Sequence, residues 1–324
     1  MKAAIIPAAG ASPVFSTFRE PVAADGKVIV NVRASALSHL SKGRSSGAHY
    51  SSDNVFPSVP GVDGTGTTQD GRRVYFVLPE TPFGALAEQS LVDEKLCIPL
   101  PDGLDDITAA ALANPGMSAW AALVERAKFL RGETVLINGA TGSAGSMAVQ
   151  VAKYLGAGKI LVSGRNAEKL EALRKLGADE VIPFTIDADH PDGADAFEQA
   201  LKPHFRNGID VVLDYLWGSS ARAIIAAIAR NVEDGHRVRF VQIGSASGEN
   251  SIDLPAAALR SSAIELMGSG LKSVTMDKLL EGIGHVFEGA AKGAFQIAMA
   301  TLPLEKIAEA WQAPGEPRMV VTIP

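Results

Sequence analysis

Cysteine is nearly absent: Cys97 stands alone among 324 residues. A single thiol excludes an intramolecular disulfide and a multi-cysteine zinc site. Its neighbours, Leu96-Cys97-Ile98, read as an apolar strand, so Cys97 is expected to be buried, as free cysteines usually are, and not a reactive thiol. Positive charge is also short. Thirty Lys and Arg against 36 Asp and Glu leave a net charge of −6, which argues against a broad nucleic-acid surface. No apolar run reaches the roughly 18 residues that suggest a membrane span. The opening Met1-Lys2-Ala3-Ala4-Ile5-Ile6 meets Pro7 and Gly10 too soon for the apolar core of a signal peptide. It reads as a first strand, and a cytoplasmic location is expected. What remains is 47% hydrophobic and 20% charged, an ordinary globular composition. The length suits about two domains.

Residues 1 to 117 read as β-rich, with short apolar runs between Gly, Pro, Asp and Ser. Lys27-Val28-Ile29-Val30-Asn31-Val32-Arg33 alternates with period two, and Arg73-Val74-Tyr75-Phe76-Val77-Leu78 is a second strand closed by Pro79. Residues 35–66 are rich in Ser, Gly and Pro and read as loop around a short helix. A helix starts at Asp105-Asp106, its acidic first turn matching the helix dipole. Pro115-Gly116 is expected to interrupt it, with a second helix over residues 118–130. A β-α alternation follows. Strands are predicted at 134–138, 159–163, 180–183, 209–214 and 239–243, and helices at 143–155 and 167–176. Near-continuous Val/Ile/Leu runs between helices mark a parallel sheet covered on both faces. Beyond Pro255, residues 265–267 read as a last core strand, 276–291 and 306–311 as helices, and 319–323 as a terminal strand.

The segment Gly139-Ala140-Thr141-Gly142-Ser143-Ala144-Gly145 joins a predicted strand to a predicted helix. In that context glycines allow a tight turn and close approach of a pyrophosphate, while the helix start offers N–H groups and a positive dipole end. The binding residues are then Thr141, Gly142, Ser143 and Ala144. No Gly-Lys-Ser/Thr follows, which disfavours a P-loop ATPase. About 20 residues on, an NAD site usually carries an acid for the ribose hydroxyls. This chain has Ser163-Gly164-Arg165-Asn166 there, with Lys169 one turn later. Ser163, Arg165 and Lys169 suit a 2′-phosphate, so NADP(H) is expected over NAD(H).

Several segments, in order, resemble the medium-chain dehydrogenase/reductase superfamily, and within it the zinc-free, quinone oxidoreductase-like branch. They are Val59-Pro60-Gly61-Val62-Asp63-Gly64-Thr65-Gly66, Leu100-Pro101-Asp102-Gly103-Leu104 with Ala109-Ala110-Ala111-Leu112, Asn114-Pro115-Gly116-Met117-Ser118-Ala119-Trp120, the glycine turn, and residues 302–310. The resemblance implies an α/β protein with two domains. One is a GroES-like β-rich catalytic domain of residues 1–117 and 256–324. The other is a Rossmann doubly wound parallel-sheet domain of residues 118–255. It also implies that Ser118, Ser245, Ser269, Gly270 and Leu271 flank the nicotinamide half of the cofactor, that Tyr215 lines it, and that the protein is a homodimer. Zinc-dependent relatives carry a Cys near Ser38, a Gly-His-Glu element and four clustered cysteines. Here Ser38, Gly61-Val62-Asp63 and the lone Cys97 replace them. His39, His49 and Asp63 are chemically able to ligate a metal, but loop histidines are commoner than ligands and no metal is expected.

The resemblance implies hydride transfer from NADPH to a small quinone or enone. In zinc-free relatives the loop corresponding to residues 38–50 carries an Asn, an Asp and a Tyr. Here Ser38 and Ser41 replace the first two, while Arg44 and Tyr50 fit the pattern. Tyr50 is the first candidate donor to a substrate carbonyl, with Ser38 and His39 as orienting groups. Two alternatives stand beside this. A short-chain dehydrogenase would share the Gly139-Ala140-Thr141-Gly142 turn, but no Tyr has Lys four residues on. A non-enzymatic NADP(H)-binding protein, structural or redox-sensing, would share the fold.

Overall fold

Period-two alternation carries the N-terminal third into strands. The computed structural model describes residues 1–47 and 52–324. In chain order it opens with a hairpin of β1 (Lys2–Ile5) and β2 (Val14–Thr17), then β3 (Lys27–Ala36) and helix α1 (His39–Ser45). Next come β4 (Asp63–Thr68), β5 (Arg73–Val77), β6 (Gln89–Asp93), β7 (Cys97–Pro99) and α2 (Asp106–Trp120). Cys97 is half-buried on β7 opposite Phe76, so the expected full burial is only partly met. Burial still pushes its thiol up to about 11, which keeps it protonated near neutrality.

The expected break at Pro115-Gly116 is absent: α2 runs through Pro115 and continues as a π-helical segment, Ala121–Arg126. An internal proline removes one helix bond and costs about 3 kcal/mol in an exposed helix. Ala109 to Ala113 and Ala119 are all at most 1% exposed, and that burial offsets the loss. Residues 106–126 are long and apolar enough to cross a membrane by composition, yet 61% of the most apolar stretch is buried inside the protein, the pattern of a core helix.

The alternating segment forms β8 (Thr134–Asn138), α3 (Ser143–Leu155), β9 (Lys159–Gly164), α4 (Ala167–Ala172), β10 (Glu180–Pro183), α5 (Gly193–Arg206), β11 (Val211–Asp214), α6 (Gly218–Asn231), β12 (Arg237–Gln242), α7 (Ala256–Arg260), β13 (Ala263–Gly268) and α8 (Met276–Ala291). The six strands make one parallel sheet, ordered β10-β9-β8-β11-β12-β13. Val135, Leu136 and Ile137 in its middle are fully buried, as strands covered on both faces must be. Helices α5 and α6, which the sequence reading did not assign, cover one face through Phe197, Leu201, Ile224 and Ile228.

The chain ends with β14 (Met299–Pro303), α9 (Ile307–Gln312) and β15 (Arg318–Thr322). These strands join a second sheet, β14-β15-β3-β4-β5-β7, with β6 paired to β3. That sheet is antiparallel except for β14 and β15. Its core gathers Val30, Val74, Phe76, Leu86, Leu304 and Val321. Two units result: Met1–Asn114 with Gly284–Pro324, and Pro115–Ile283. The second includes β13, which pairs with β12 over six residues, Arg237↔Ala263 to Gln242↔Gly268.

Candidate cofactor site

The strand order reverses direction between β8 and β11, and ligands of doubly wound sheets bind beyond the strand C-termini at such a reversal. The glycine turn lies there. Gly139 has φ +84°, and a Cβ on it would come within 2.8 Å of the Leu216 side chain. Gly145 brings α3 against the turn, since a Cβ there would sit 2.5 Å from the Gly139 carbonyl oxygen. Gly142, the N-cap residue of α3, is different: a Cβ would meet nothing within 4 Å. No side chain caps this helix. An uncapped N-terminus beside open space at Gly142 suits an anion such as a pyrophosphate. Thr141, Ser143 and Ala144 are part-exposed around it.

At the end of β9 the two halves of the expected phosphate site part company. Arg165 and Lys169 are exposed, and neither is ion-paired among the described residues. Asn166 caps α4 by accepting from the Lys169 N–H at 2.9 Å. Gly164 packs near Thr141. Ser163, expected to face the phosphate, points the other way. It is fully buried, and its hydroxyl donates to Asn138 Oδ1 at 2.9 Å. Its contribution at the turn is its carbonyl, which accepts the Gly139 and Ala140 N–H groups.

The remaining expected cofactor residues lie on this unit too. Tyr215 follows β11 and is 8% exposed. Its hydroxyl is buried without a hydrogen bond of normal geometry, and Ser118 is its polar neighbour. Burial pushes the phenol up, so it stays protonated. Ser245 is exposed in the loop after β12. Ser269, Gly270 and Leu271 follow β13, where Ser269 N–H donates to the Gln242 carbonyl at 2.8 Å. Arg126 holds this loop from both ends, donating to the carbonyls of Gly268 (2.7 Å) and Ser273 (3.4 Å). The sequence reading took Asp214 only as the start of a loop lining the cofactor and did not single out Asn138 and Ser220, with which it forms a buried polar row. Asn138 Nδ2 donates to Asp214 Oδ1 at 2.9 Å and to Ser220 Oγ at 3.0 Å. Polar residues ending two adjacent apolar strands were the available signal.

In the other unit, Ser38 is the N-cap of α1. Its Oγ accepts from the Ser41 N–H at 3.0 Å and contacts Ser41 Oγ at 3.0 Å, so the hydroxyl is already engaged. His39 is exposed at the helix start. Tyr50 and His49 lie outside the described residues. Arg44 pairs with Asp53 at 2.8 Å, and Asp53 also accepts from Thr81 Oγ1 at 2.6 Å. These residues border a pocket of about 70 Å³ with Val62 and Leu78. Asp63 is 3% exposed and accepts from the Tyr75 hydroxyl at 2.6 Å. Burial raises its pKa against the lowering effects of Tyr75 and Arg318. Among the described residues no three His, Cys, Asp or Glu side chains gather as a metal site would.

The zinc-binding dehydrogenase family model matches residues 144–283. A probable NADPH-dependent quinone reductase of Emericella nidulans is 26% identical over 351 residues, spanning 96% of each chain. A chloroplastic NADPH-dependent alkenal/one oxidoreductase of Arabidopsis thaliana is 32% identical over 56% of this chain and 51% of its own. Among solved structures, the quinone oxidoreductase of Thermus thermophilus superposes with a TM-score of 0.79 and 26% identity, covering 99% of this chain and 100% of that one. Residues 144–283 thus match a zinc-binding dehydrogenase domain, and the chain is similar over nearly its whole length to quinone reductases of the medium-chain dehydrogenase/reductase type.

Proposed function

We propose that the protein is an NADPH-dependent oxidoreductase of the quinone oxidoreductase-like branch. It reduces a small quinone or an activated alkene or carbonyl without zinc. The observation that carries this is the uncapped N-terminus of α3 beside open space at Gly142, with Arg165 and Lys169 exposed beyond the next strand. The α3 terminus holds the pyrophosphate, and the two cations bind the 2′-phosphate. Ser118, Tyr215 and the 269–271 loop wall the nicotinamide end. NADPH, when bound, supplies the hydride; the protein orients both reactants and stabilises developing charge. Tyr50 is the first candidate to donate to the acceptor oxygen, with His39 as an orienting group; Ser38 could join only by giving up its cap.

The relatives' names support this reading, since they pair NADPH with a quinone or an alkenal. Its test is NADPH oxidation against a panel of quinones and enones with a metal chelator present. Turnover unaffected by chelator is expected. Tight NADPH binding without oxidation across the panel would instead favour a non-enzymatic, redox-sensing protein. We further propose a cytoplasmic homodimer joined along β13, the outer strand of the parallel sheet, where Leu266 is exposed. A monomer in sedimentation velocity would contradict the dimer, and recovery in the membrane fraction would contradict the location.

A further inference from the structure

Three neighbouring strands of the parallel sheet carry polar residues at the same level near their ends. Asn138 is paired with Ser163 on one side and Asp214 on the other. All three are fully buried. Ser163 donates to the oxygen of the Asn138 amide, and the amide nitrogen donates to Asp214 and Ser220. Both ends of the amide are therefore used, which fixes its orientation. Asp214 turns this row into a grip on the next loop. Its carboxylate accepts the N–H of Leu216 at 3.2 Å and of Trp217 at 3.0 Å.

That loop is strained. Trp217 has φ +62° and ψ −164°, a region that side-chain-bearing residues rarely occupy. Gly218 follows at φ +68°. A conformation of this kind persists only where its surroundings hold it. The loop also carries two contacts at the reversal of strand order: Leu216 fills the space over Gly139, and Tyr215 buries its hydroxyl beside Ser118.

We propose that Asp214 is a positioning residue. By accepting the Leu216 and Trp217 N–H groups while fixed through Asn138 and Ser163, it sets Tyr215 and Leu216 against the glycine turn for NADPH binding. The inference rests on the proposed NADPH function. Desolvation supports it: burial raises the Asp214 pKa to about 6, and its neighbours oppose the shift only through hydrogen bonds from Asn138, Leu216 and Trp217. Burying a carboxylate without a cation costs stability, so its return lies in the conformation it holds.

The test is a swap in the full chain, with NADPH fluorescence reporting Kd and steady-state assays reporting KM. Asp214→Asn places one amide against another, and Asn138→Asp places two carboxylates together. Each is expected to raise the NADPH Kd by about tenfold or more, the effect of one buried polar group left unpaired. In the double variant the amide nitrogen at 214 donates to the carboxylate at 138 and the amide oxygen still accepts the Trp217 N–H, while the weaker contact from the Leu216 N–H is lost. It is expected to recover affinity to within about threefold of the unsubstituted chain, a coupling that only interacting sites show. The loss falls on KM for NADPH and spares KM for the acceptor. Should a single variant fail to fold, Ser163→Ala, which frees the Asn138 amide, is expected to weaken NADPH binding about threefold. Unchanged Kd in Asp214→Asn or in Ser163→Ala, or a double variant no better than the worse single one, overturns the inference and leaves the proposed function standing. Absence of NADPH binding by the unsubstituted chain overturns both.

Discussion

Ser163 and Arg165 stand two positions apart at one strand end, yet they face different worlds. Ser163 belongs to β9 and sends its hydroxyl sideways to Asn138. Arg165 has left the strand and is exposed. Both have the chemistry a phosphate site needs, and composition alone cannot separate them. What separates them is Asn138, 25 residues earlier, whose amide oxygen claims the hydroxyl. The cationic half of the proposed site therefore rests on Arg165 and Lys169. Arg165→Ala is expected to weaken NADPH binding by about tenfold, the loss of one charge-assisted contact, and to leave NADH binding nearly unchanged. Fluorescence titration with both nucleotides checks this; equal losses would contradict it.

At the scale of elements, local signals carried far and long-range ones did not. The turn at residues 139–145 was legible because strand, glycines and helix are contiguous, and α3 spans the same residues predicted for it. The polar row was not legible, because Asn138 meets Asp214 and Ser220 across 76 and 82 residues. Helix α2 looked broken at Pro115 because local propensity ignores the burial that offsets it. The row also has a pH consequence. The Asp214 carboxyl sits near 6 when folded and about 3.9 when unfolded. Between those values the folded chain holds a proton that the unfolded chain has released, so this group's contribution to stability falls as pH rises from 4 to 6. It is then flat, the charged form costing on the order of 3 kcal/mol at pH 7. Asp214→Asn lacks that slope. The melting temperature of the unsubstituted chain minus that of the variant is expected to be larger at pH 4.5 than at pH 7.5, and a difference independent of pH would contradict this.

At the scale of the whole molecule, two sheets of different construction share one chain, and the two crossings between units fall inside α2 and α8. The fold class expected from sequence is the one found, a doubly wound parallel sheet beside a separate β-rich part whose mainly antiparallel sheet takes strands from both chain ends. The parallel sheet holds the residues proposed for NADPH. The central claim is that NADPH bound there gives up hydride from one face. The direct measurement uses NADPH deuterated at C4 in the R or the S position, with an accepted quinone or enone, and mass spectrometry of the NADP⁺ formed. A protein that fixes the nicotinamide is expected to remove deuterium completely from one of the two labelled forms and to keep it completely in the other. Oxidation that takes both labels alike, or no NADP⁺ formed with any acceptor, would contradict it.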